Sequence, residues 1–201
     1  AVESGIGLTL LPVLYERAGF AQPALGDRQR RFRSTAAEVI RMRDEIRRWQ
    51  LPHVSAGVAI HSLRAASEAS IRALATACEG DAGPIHIHVA EQQAEVRDCL
   101  AATGERPIAW LANHLPLDAR WHLVHATHAD ATDIEALAAT GAGVVVCPST
   151  EANLGDGRFA LEAWGARPVP LSIGSDSHIG RNWPHELRLL EYALRVGRDV
   201  A

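Results

Sequence analysis

His86 and His88 stand one residue apart, and a carboxylate, Glu91, follows three positions later. A neutral imidazole is a common ligand for a divalent metal ion. A carboxylate just past such a ligand can reach a water molecule beside the ion without binding the ion itself. Two hydrogen-bonded core histidines would account for an isolated His-x-His equally well; Glu91 favours a metal centre. A second carboxylate, Asp176, closes the run Leu171-Ser172-Ile173-Gly174-Ser175-Asp176. The small residues before it leave room around it, and a buried carboxylate is costly unless it is paired or bound to metal. Its competing role is a turn or helix cap. Imidazole, carboxylate and water together suit zinc or a similar divalent ion.

Three further positions carry reactive groups. His125 ends the apolar run of Trp121-His122-Leu123-Val124-His125 and is the histidine of that segment best placed to meet a substrate or an activated water; His122 and His128 suit structural or surface roles. His61 and Arg64 lie in His61-Ser62-Leu63-Arg64, where a guanidinium could grip a carboxylate with a two-pronged hydrogen bond. The alternative for Arg64 is a surface pair with a helix glutamate. Ser149, Thr150 and Glu151 follow a fifth apolar run, and His178 follows Asp176.

These residues share a placement. Short, apolar, often β-branched segments read as strands buried on both faces: Gly5 to Leu11, Val54 to Leu63, Pro84 to Ala90, Trp121 to Thr127, Gly141 to Cys147 and Pro168 to Gly174. The polar residues above fall at the C-terminal ends of five of them. Side chains alternate along a strand, so Ile85, Ile87 and Val89 face covering helices while His86 and His88 face the interior. In the last run Leu171 and Ile173 face outward, and Ser172, Gly174 and Asp176 inward. Helical patterns lie between the strands. Ser34 to Trp49 carries Val39, Ile46 and Trp49 on one face, with Arg41, Arg43 and Arg47 outside it. Ser67 could cap a helix carrying Ile71, Leu74 and Cys78, and Asp130 another carrying Ile134 and Leu137. Pro184 fits the first position of a helix through Leu187, Leu190 and Leu194. Strands alternating with helices indicate a parallel sheet. About six such units are countable, against the eight and ~250 residues of a closed barrel, whose active site sits at the C-terminal strand ends. An open doubly wound sheet is the rival architecture, but no glycine-rich nucleotide fingerprint supports it.

Composition is ordinary for a globular domain: 47% hydrophobic, 22% charged and a net charge of -4 over 201 residues. It argues against a nucleic-acid partner, and no apolar run is long enough to span a membrane. Cys78, Cys99 and Cys147 have no paired spacing and read as buried thiols of a reducing, cytoplasmic compartment. The opening residues carry no signal pattern, and the chain is expected to begin within a longer protein.

The segments GLTLLPVLYERAGF, IHSLRA, HIHVAEQQAEV, LVHATHAD, STEANLGDG and GSDSH occur in an order that resembles the formimidoylglutamate deiminases of the amidohydrolase superfamily, over Gly5 to about Tyr192. The resemblance implies a metal-dependent (β/α)8 barrel, present here as about strands 3 to 8 across residues 1–201. It implies hydrolysis of N-formimino-L-glutamate to N-formyl-L-glutamate and ammonia in histidine degradation, with one divalent ion, zinc first. His88 and Asp176 would be metal ligands, Glu91 the proton-carrying acid and base, and His125 the contact to water or substrate. Asp176 would also take a proton in the reaction, and His61 and Arg64 would bind substrate. His86 matches the motif without being a ligand. The expected partner is a small molecule, with no nucleic acid and no membrane; a homodimer is the expected assembly.

One departure is marked. The superfamily has a His-x-His pair on its first strand and a small β-sandwich domain, and neither occurs in these residues. His86 and His88 already fill the fifth-strand place. Two alternatives stay open: a related deaminase or chlorohydrolase acting on a ring, and a non-catalytic piece serving as scaffold. A ring site would favour aromatic stacking, whereas Arg64 suits a carboxylate.

Overall fold

A computed structural model describes residues 3–177, 180 and 182–197. The chain forms two compact units, Ala1–Ile87 and His88–Ala201.

The first unit contains β1 (Leu8–Leu10), β2 (Val13–Leu14), α1 (Ala36–Arg48), β3 (Val54–Ala56), β4 (Val58–Ile60), α2 (Glu68–Ala77) and the start of β5 (Ile85–Val89). Strand β1 pairs with β3, β2 with β4, and β4 with β5, always in parallel. The run expected as one strand, Gly5 to Leu11, is therefore shorter and has a second piece beyond it. Pro12 explains the break, because it has no N–H to give to a ladder. The backbone register nevertheless continues: Gly57 N donates to the Leu10 carbonyl, Ala59 N to Pro12 and His61 N to Leu14, at 3.0, 2.8 and 3.0 Å. The Val54-to-Leu63 run divides in the same way, at Gly57.

Helix α1 starts after Thr35, whose hydroxyl and the Glu38 carboxylate form a reciprocal capping box. Ser34, expected inside the helix, instead donates to the Val13 carbonyl at 2.6 Å and accepts from Tyr15 N at 2.9 Å. Val39 is buried as expected. Arg43 and Trp49 reverse the expected faces: Arg43 is only 6% exposed and Trp49 is 48% exposed. The Arg43 stem lies along the core while its head reaches the end of α2, donating to the Ala77 carbonyl at 3.1 Å and pairing with Asp44 at 2.9 Å. A cation at a helix C-terminus meets unpaired carbonyls and the negative end of the dipole, a stronger demand than an indole face. Ser67 caps α2 as expected, accepting from Ser70 N.

The second unit carries the rest of β5, then α3 (Gln93–Thr103), α4 (Pro107–His114), β6 (Trp121–His125), α5 (Ala131–Ala138), β7 (Gly143–Val146), α6 (Pro148–Leu154), α7 (Leu161–Gly165), β8 (Leu171–Ile173) and α8 (Trp183–Val196). Strands β6, β7 and β8 pair in order and in parallel. Asp130 caps α5 in a capping box with Asp133. Trp121, Leu123, Leu137, Ile108, Leu111 and Trp164 are almost fully buried and form the centre of the unit's core. Two expectations change. Ser149, Thr150 and Glu151 do not end a strand; β7 stops at Val146 and they form the first turn of α6, with Pro148 at its head. Pro184 is the second residue of α8, and Leu187 on that helix is exposed while Glu186 is buried.

Among the described residues no helix is long and apolar enough to cross a membrane. The three cysteines are buried and form no disulfide with one another.

Among the glycines of the first unit, Gly57 has the least room. A Cβ there would collide with the Pro84 carbonyl oxygen and lie 2.9 Å from Leu11 Cδ2. Since the first obstacle is backbone, Gly57→Ala is expected to cost about 1–3 kcal/mol, as overpacked cores do. Urea unfolding of the two proteins checks this; equal midpoints would mean that the strands separate freely at this point.

Candidate active site

Among the described residues, five that are not glycine adopt positive φ, and four of them lie just past strand ends of the second unit or at them. Ala90 (+49°) follows β5, His125 and Ala126 (+72° and +50°) end β6, and Asp176 (+49°) follows β8. Left-handed backbone at such residues costs on the order of 1–3 kcal/mol each and persists only where surrounding contacts enforce it. Here the contacts are visible. Ala126 N donates to the Val89 carbonyl and His128 N to Ala90, at 3.0 and 2.9 Å, and Gly174 N donates to Val146 at 2.9 Å. The strain turns the chain sharply at strand mouths, where the reactive side chains are.

His125 is at the centre. It is 1% exposed. Its Nδ1 lies 3.2 Å from Glu151 Oε1, and its Nε2 lies 3.6 Å from Glu91 Oε1 and 3.9 Å from Asp176 Oδ2. The His88 ring stacks on it at 5.5 Å and 20°. Thus four of the sequence-derived residues, His88, Glu91, His125 and Asp176, come together in one unit. Burial works to lower the His125 pKa, but the Glu151 hydrogen bond and the charges of Glu91, Glu151 and Asp176 outweigh it and raise it. The Cys147 thiol nearby is pushed up to about 12 by burial and by the Glu151, Asp176 and Glu186 charges, so it is protonated and inert.

Neighbouring groups hold these residues in place. Glu91 N donates to Glu95 Oε2 at 3.1 Å, which fixes the turn after β5. Gln92 Nε2 donates to Asp156 Oδ1 at 2.9 Å. His128 Nε2 donates to the Asp156 carbonyl at 2.6 Å, the structural role anticipated for it. Glu186 on α8 accepts from both the N–H and the hydroxyl of Ser149, at 2.9 and 2.7 Å, and Thr150 Oγ1 donates to the Ser175 carbonyl at 3.2 Å. Helix α6 is thereby tied to α8 and to the mouth of β8.

His61 and Arg64 belong to the first unit, at the end of β4. Both are half-buried. The loop carrying Arg64 is clamped from the other side: Arg17 donates to the Leu63 and Arg64 carbonyls at 2.8 and 3.1 Å, and Glu16 N to Ala65 at 2.7 Å. The Tyr15 ring meets the His61 ring edge-on at 4.7 Å, and its hydroxyl accepts from Gln29. His86 is half-buried, two positions before His88 on β5, in register with Ala59. His178 lies outside the described residues.

The donor chemistry of the second-unit cluster, imidazole nitrogen and carboxylate oxygen, fits a borderline divalent ion. Two carboxylates facing one buried imidazole also carry more negative charge than that ring can neutralise, which a cation would relieve. Among the described residues no three His, Cys, Asp or Glu side chains stand in an arrangement that could hold an ion.

The residues that the sequence reading did not assign are Glu151, Glu186 and Glu95. Glu151 was visible as a polar residue near a strand end; the helix that aims it, announced by Pro148, was not. Nothing local marks Glu186, whose partner lies 37 residues away.

Residues 1–198 match the amidohydrolase family model. The chain is 45% identical over 197 residues to a formimidoylglutamate deiminase of Pseudomonas aeruginosa, covering 98% of this chain and 43% of that protein. It is 28% identical over 162 residues to a 5-methylthioadenosine/S-adenosylhomocysteine deaminase of Teredinibacter turnerae, covering 81% and 36%. An amidohydrolase from Brucella melitensis superposes with a TM-score of 0.93 at 40% identity, covering all of this chain and 45% of that one. A zinc-bound adenosine deaminase from Xanthomonas campestris, at 22% identity and a TM-score of 0.82 over 98% of this chain and 44% of its own, shares the fold. The chain spans less than half the length of the curated relatives it matches. The parallel strands and their helices are thus a partial (β/α) barrel, and the chain belongs to the amidohydrolase family.

Proposed function

We propose that the complete enzyme containing this chain hydrolyses N-formimino-L-glutamate to N-formyl-L-glutamate and ammonia, a step of histidine degradation. The observation that carries the hydrolytic part is the convergence of His125 on Glu91 and Asp176, beside His88. The substrate part is supported by the 45% identity to a formimidoylglutamate deiminase and by His61-Ser62-Leu63-Arg64.

In this reading His88 and Asp176 would hold one divalent ion, zinc first, with the first-strand histidines implied by the resemblance completing the set. Such an ion, when bound, lowers the pKa of water to about 7 and polarises the carbon under attack. Asp176 takes the proton released as the water oxygen bonds to the formimino carbon. Glu91 carries a proton to the leaving nitrogen, the carbon–nitrogen bond breaks, and ammonia departs. His125 orients the reacting groups. Arg64, with His61, holds a carboxylate of the glutamate portion; the motif order supports this pairing of roles.

A ring substrate is the second reading, since adenosine-type deaminases are among the relatives. An aromatic group does stand near a strand end, Tyr15 beyond β2. Its ring meets His61 at right angles and its hydroxyl accepts from Gln29, contacts within the first unit that hold it in place. Three buried cysteines that form no disulfide support a reducing, cytoplasmic setting. A homodimer and a small-molecule substrate complete the proposal.

Glu91→Gln in the complete enzyme should keep the metal and lose about 10²–10⁴-fold in turnover, the usual share of general acid–base catalysis. Metal content and rate are measured on one sample; loss of the metal with the carboxylate would make Glu91 a ligand instead.

Arg64→Met should lower kcat/KM for formiminoglutamate by about 10- to 1000-fold more than for an uncharged formimino analogue, the equivalent of a few kcal/mol for one side of a buried charged hydrogen bond. Equal losses on both compounds would make Arg64 a support of the fold.

A further inference from the structure

Tyr15 stands one residue beyond β2, and His61 one residue beyond β4. The two strands pair Leu14 with Ile60, and His61 N donates to the Leu14 carbonyl at 3.0 Å, so the ladder runs on to the level of Tyr15 and His61. Side chains alternate along a strand. Leu14 and Ile60 are fully buried, at 0% and 1% exposure, while Tyr15 and His61 take the opposite face of the sheet and are half-buried. Their rings meet there, with centroids 4.7 Å apart and planes at 88°. The Tyr15 backbone is bonded twice to Ser34: Tyr15 N donates to Ser34 Oγ, and Ser34 N to the Tyr15 carbonyl, both at 2.9 Å.

The direction of the hydrogen bond at the Tyr15 hydroxyl is set one residue away from it. Gly26 N–H donates to Gln29 Oε1 at 3.0 Å, and a backbone N–H needs an acceptor. The other end of the amide, Nε2, therefore faces Tyr15 and donates to its oxygen at 2.9 Å. A phenol has one hydrogen to give, and this chain of bonds leaves it unused. Tying the Gly26-to-Phe32 loop to the sheet needs only the accepted bond. The donor that remains sits beside His61, with Arg64 three residues further along the same loop.

We infer that Tyr15 is a further substrate-binding residue, whose O–H donates to the carboxylate that Arg64 and His61 hold. This rests on the reading of His61 and Arg64 as the carboxylate end of the site. A carboxylate has about four lone-pair positions, and a guanidinium fork fills two of them, so a further donor can be received. A tyrosine suits that place: its ring has few rotatable bonds to immobilise. Ser34, His61 and Gln29 fix the backbone, the ring and the hydroxyl before any substrate arrives. A compound without the carboxylate would leave these donors unpaired, which is how a polar site rejects an uncharged analogue.

The test uses the complete enzyme. Tyr15→Phe removes the hydroxyl and keeps the ring against His61 and Phe32. It should lower kcat/KM for formiminoglutamate by about 10- to 100-fold, mainly through KM, the worth of one hydrogen bond to a charged group, and change it little for an uncharged formimino analogue. Gln29→Leu breaks the same bond from its other end and leaves the phenolic hydrogen in place, so it should cost much less. Equal losses on both compounds overturn the inference, and so does an equal loss from Gln29→Leu, since the hydroxyl would then only tie the loop to the sheet. A second measurement needs no variant to fold. In wild-type crystals grown with glutarate, Tyr15 Oη should lie about 2.5–3.0 Å from an oxygen of the carboxylate that Arg64 binds. A carboxylate bound to Arg64 but out of reach of Tyr15 overturns the inference, as does glutarate that avoids Arg64. An enzyme that leaves formiminoglutamate unchanged yet shows the Tyr15–glutarate contact refutes the substrate and keeps the carboxylate site. One that turns formiminoglutamate over with Tyr15→Phe unimpaired keeps the substrate and refutes the role of Tyr15.

Discussion

An imidazole buried among three carboxylates is the constraint to which the second unit is built. His125 faces Glu91, Glu151 and Asp176 with almost no access to water. Burying ionised carboxylates is expensive unless each finds donors or a cation. One ring cannot satisfy three acids, so Cys147 N–H also donates to Glu151; the Glu91 backbone, for its part, is fixed by donating its N–H to Glu95. Positive φ at Ala90, His125, Ala126 and Asp176 turns the chain at the strand ends from which His125, Glu91 and Asp176 meet.

The supporting bonds lie one layer further out. Glu186 and Ser149, Thr150 and Ser175, Gln92 and Asp156, and His128 and Asp156 each join a strand-end residue to a helix or loop distant in sequence. Second-layer contacts of this kind set the direction of groups that do chemistry. They also show why acidic residues are common among the buried polar groups of this unit: Glu95, Asp133, Glu151, Asp156 and Glu186 act as acceptors for backbone or side-chain donors rather than as solvated charges.

What the sequence disclosed follows from the range of each interaction. Strand runs and the Ser67 and Asp130 caps were legible because apolar alternation and capping act over a few residues. The His88, Glu91, His125 and Asp176 grouping was legible because strand mouths of a barrel converge whatever the details. Arg43 was misplaced because its partner, the end of α2, is 34 residues away. Glu151 and Glu186 were missed as working parts for the same reason, although Pro148 does announce the helix that carries Glu151. The divided first and second strands were half legible: Pro12 removes a donor, but that the ladder resumes beyond it depends on Ala59 and His61 across the pair.

Substrate choice has to come from groups other than the strand-mouth acids and imidazoles. A backbone that superposes at a TM-score of 0.82 with only 22% identity shows how far side chains can change on this scaffold, and fold alone does not fix function. The His88–Glu91–His125–Asp176 cluster is suited to water addition and proton transfer, tasks common to any carbon–nitrogen hydrolysis, and cannot tell a ring from an open chain. A carboxylate-bearing, open-chain substrate asks for a cation with fork geometry, and Arg64 on a loop clamped by Arg17 and Glu16 has that chemistry and a rigid mount. Rigid mounting matters because a loosely held guanidinium would lose in ordering entropy part of what it gains from the carboxylate.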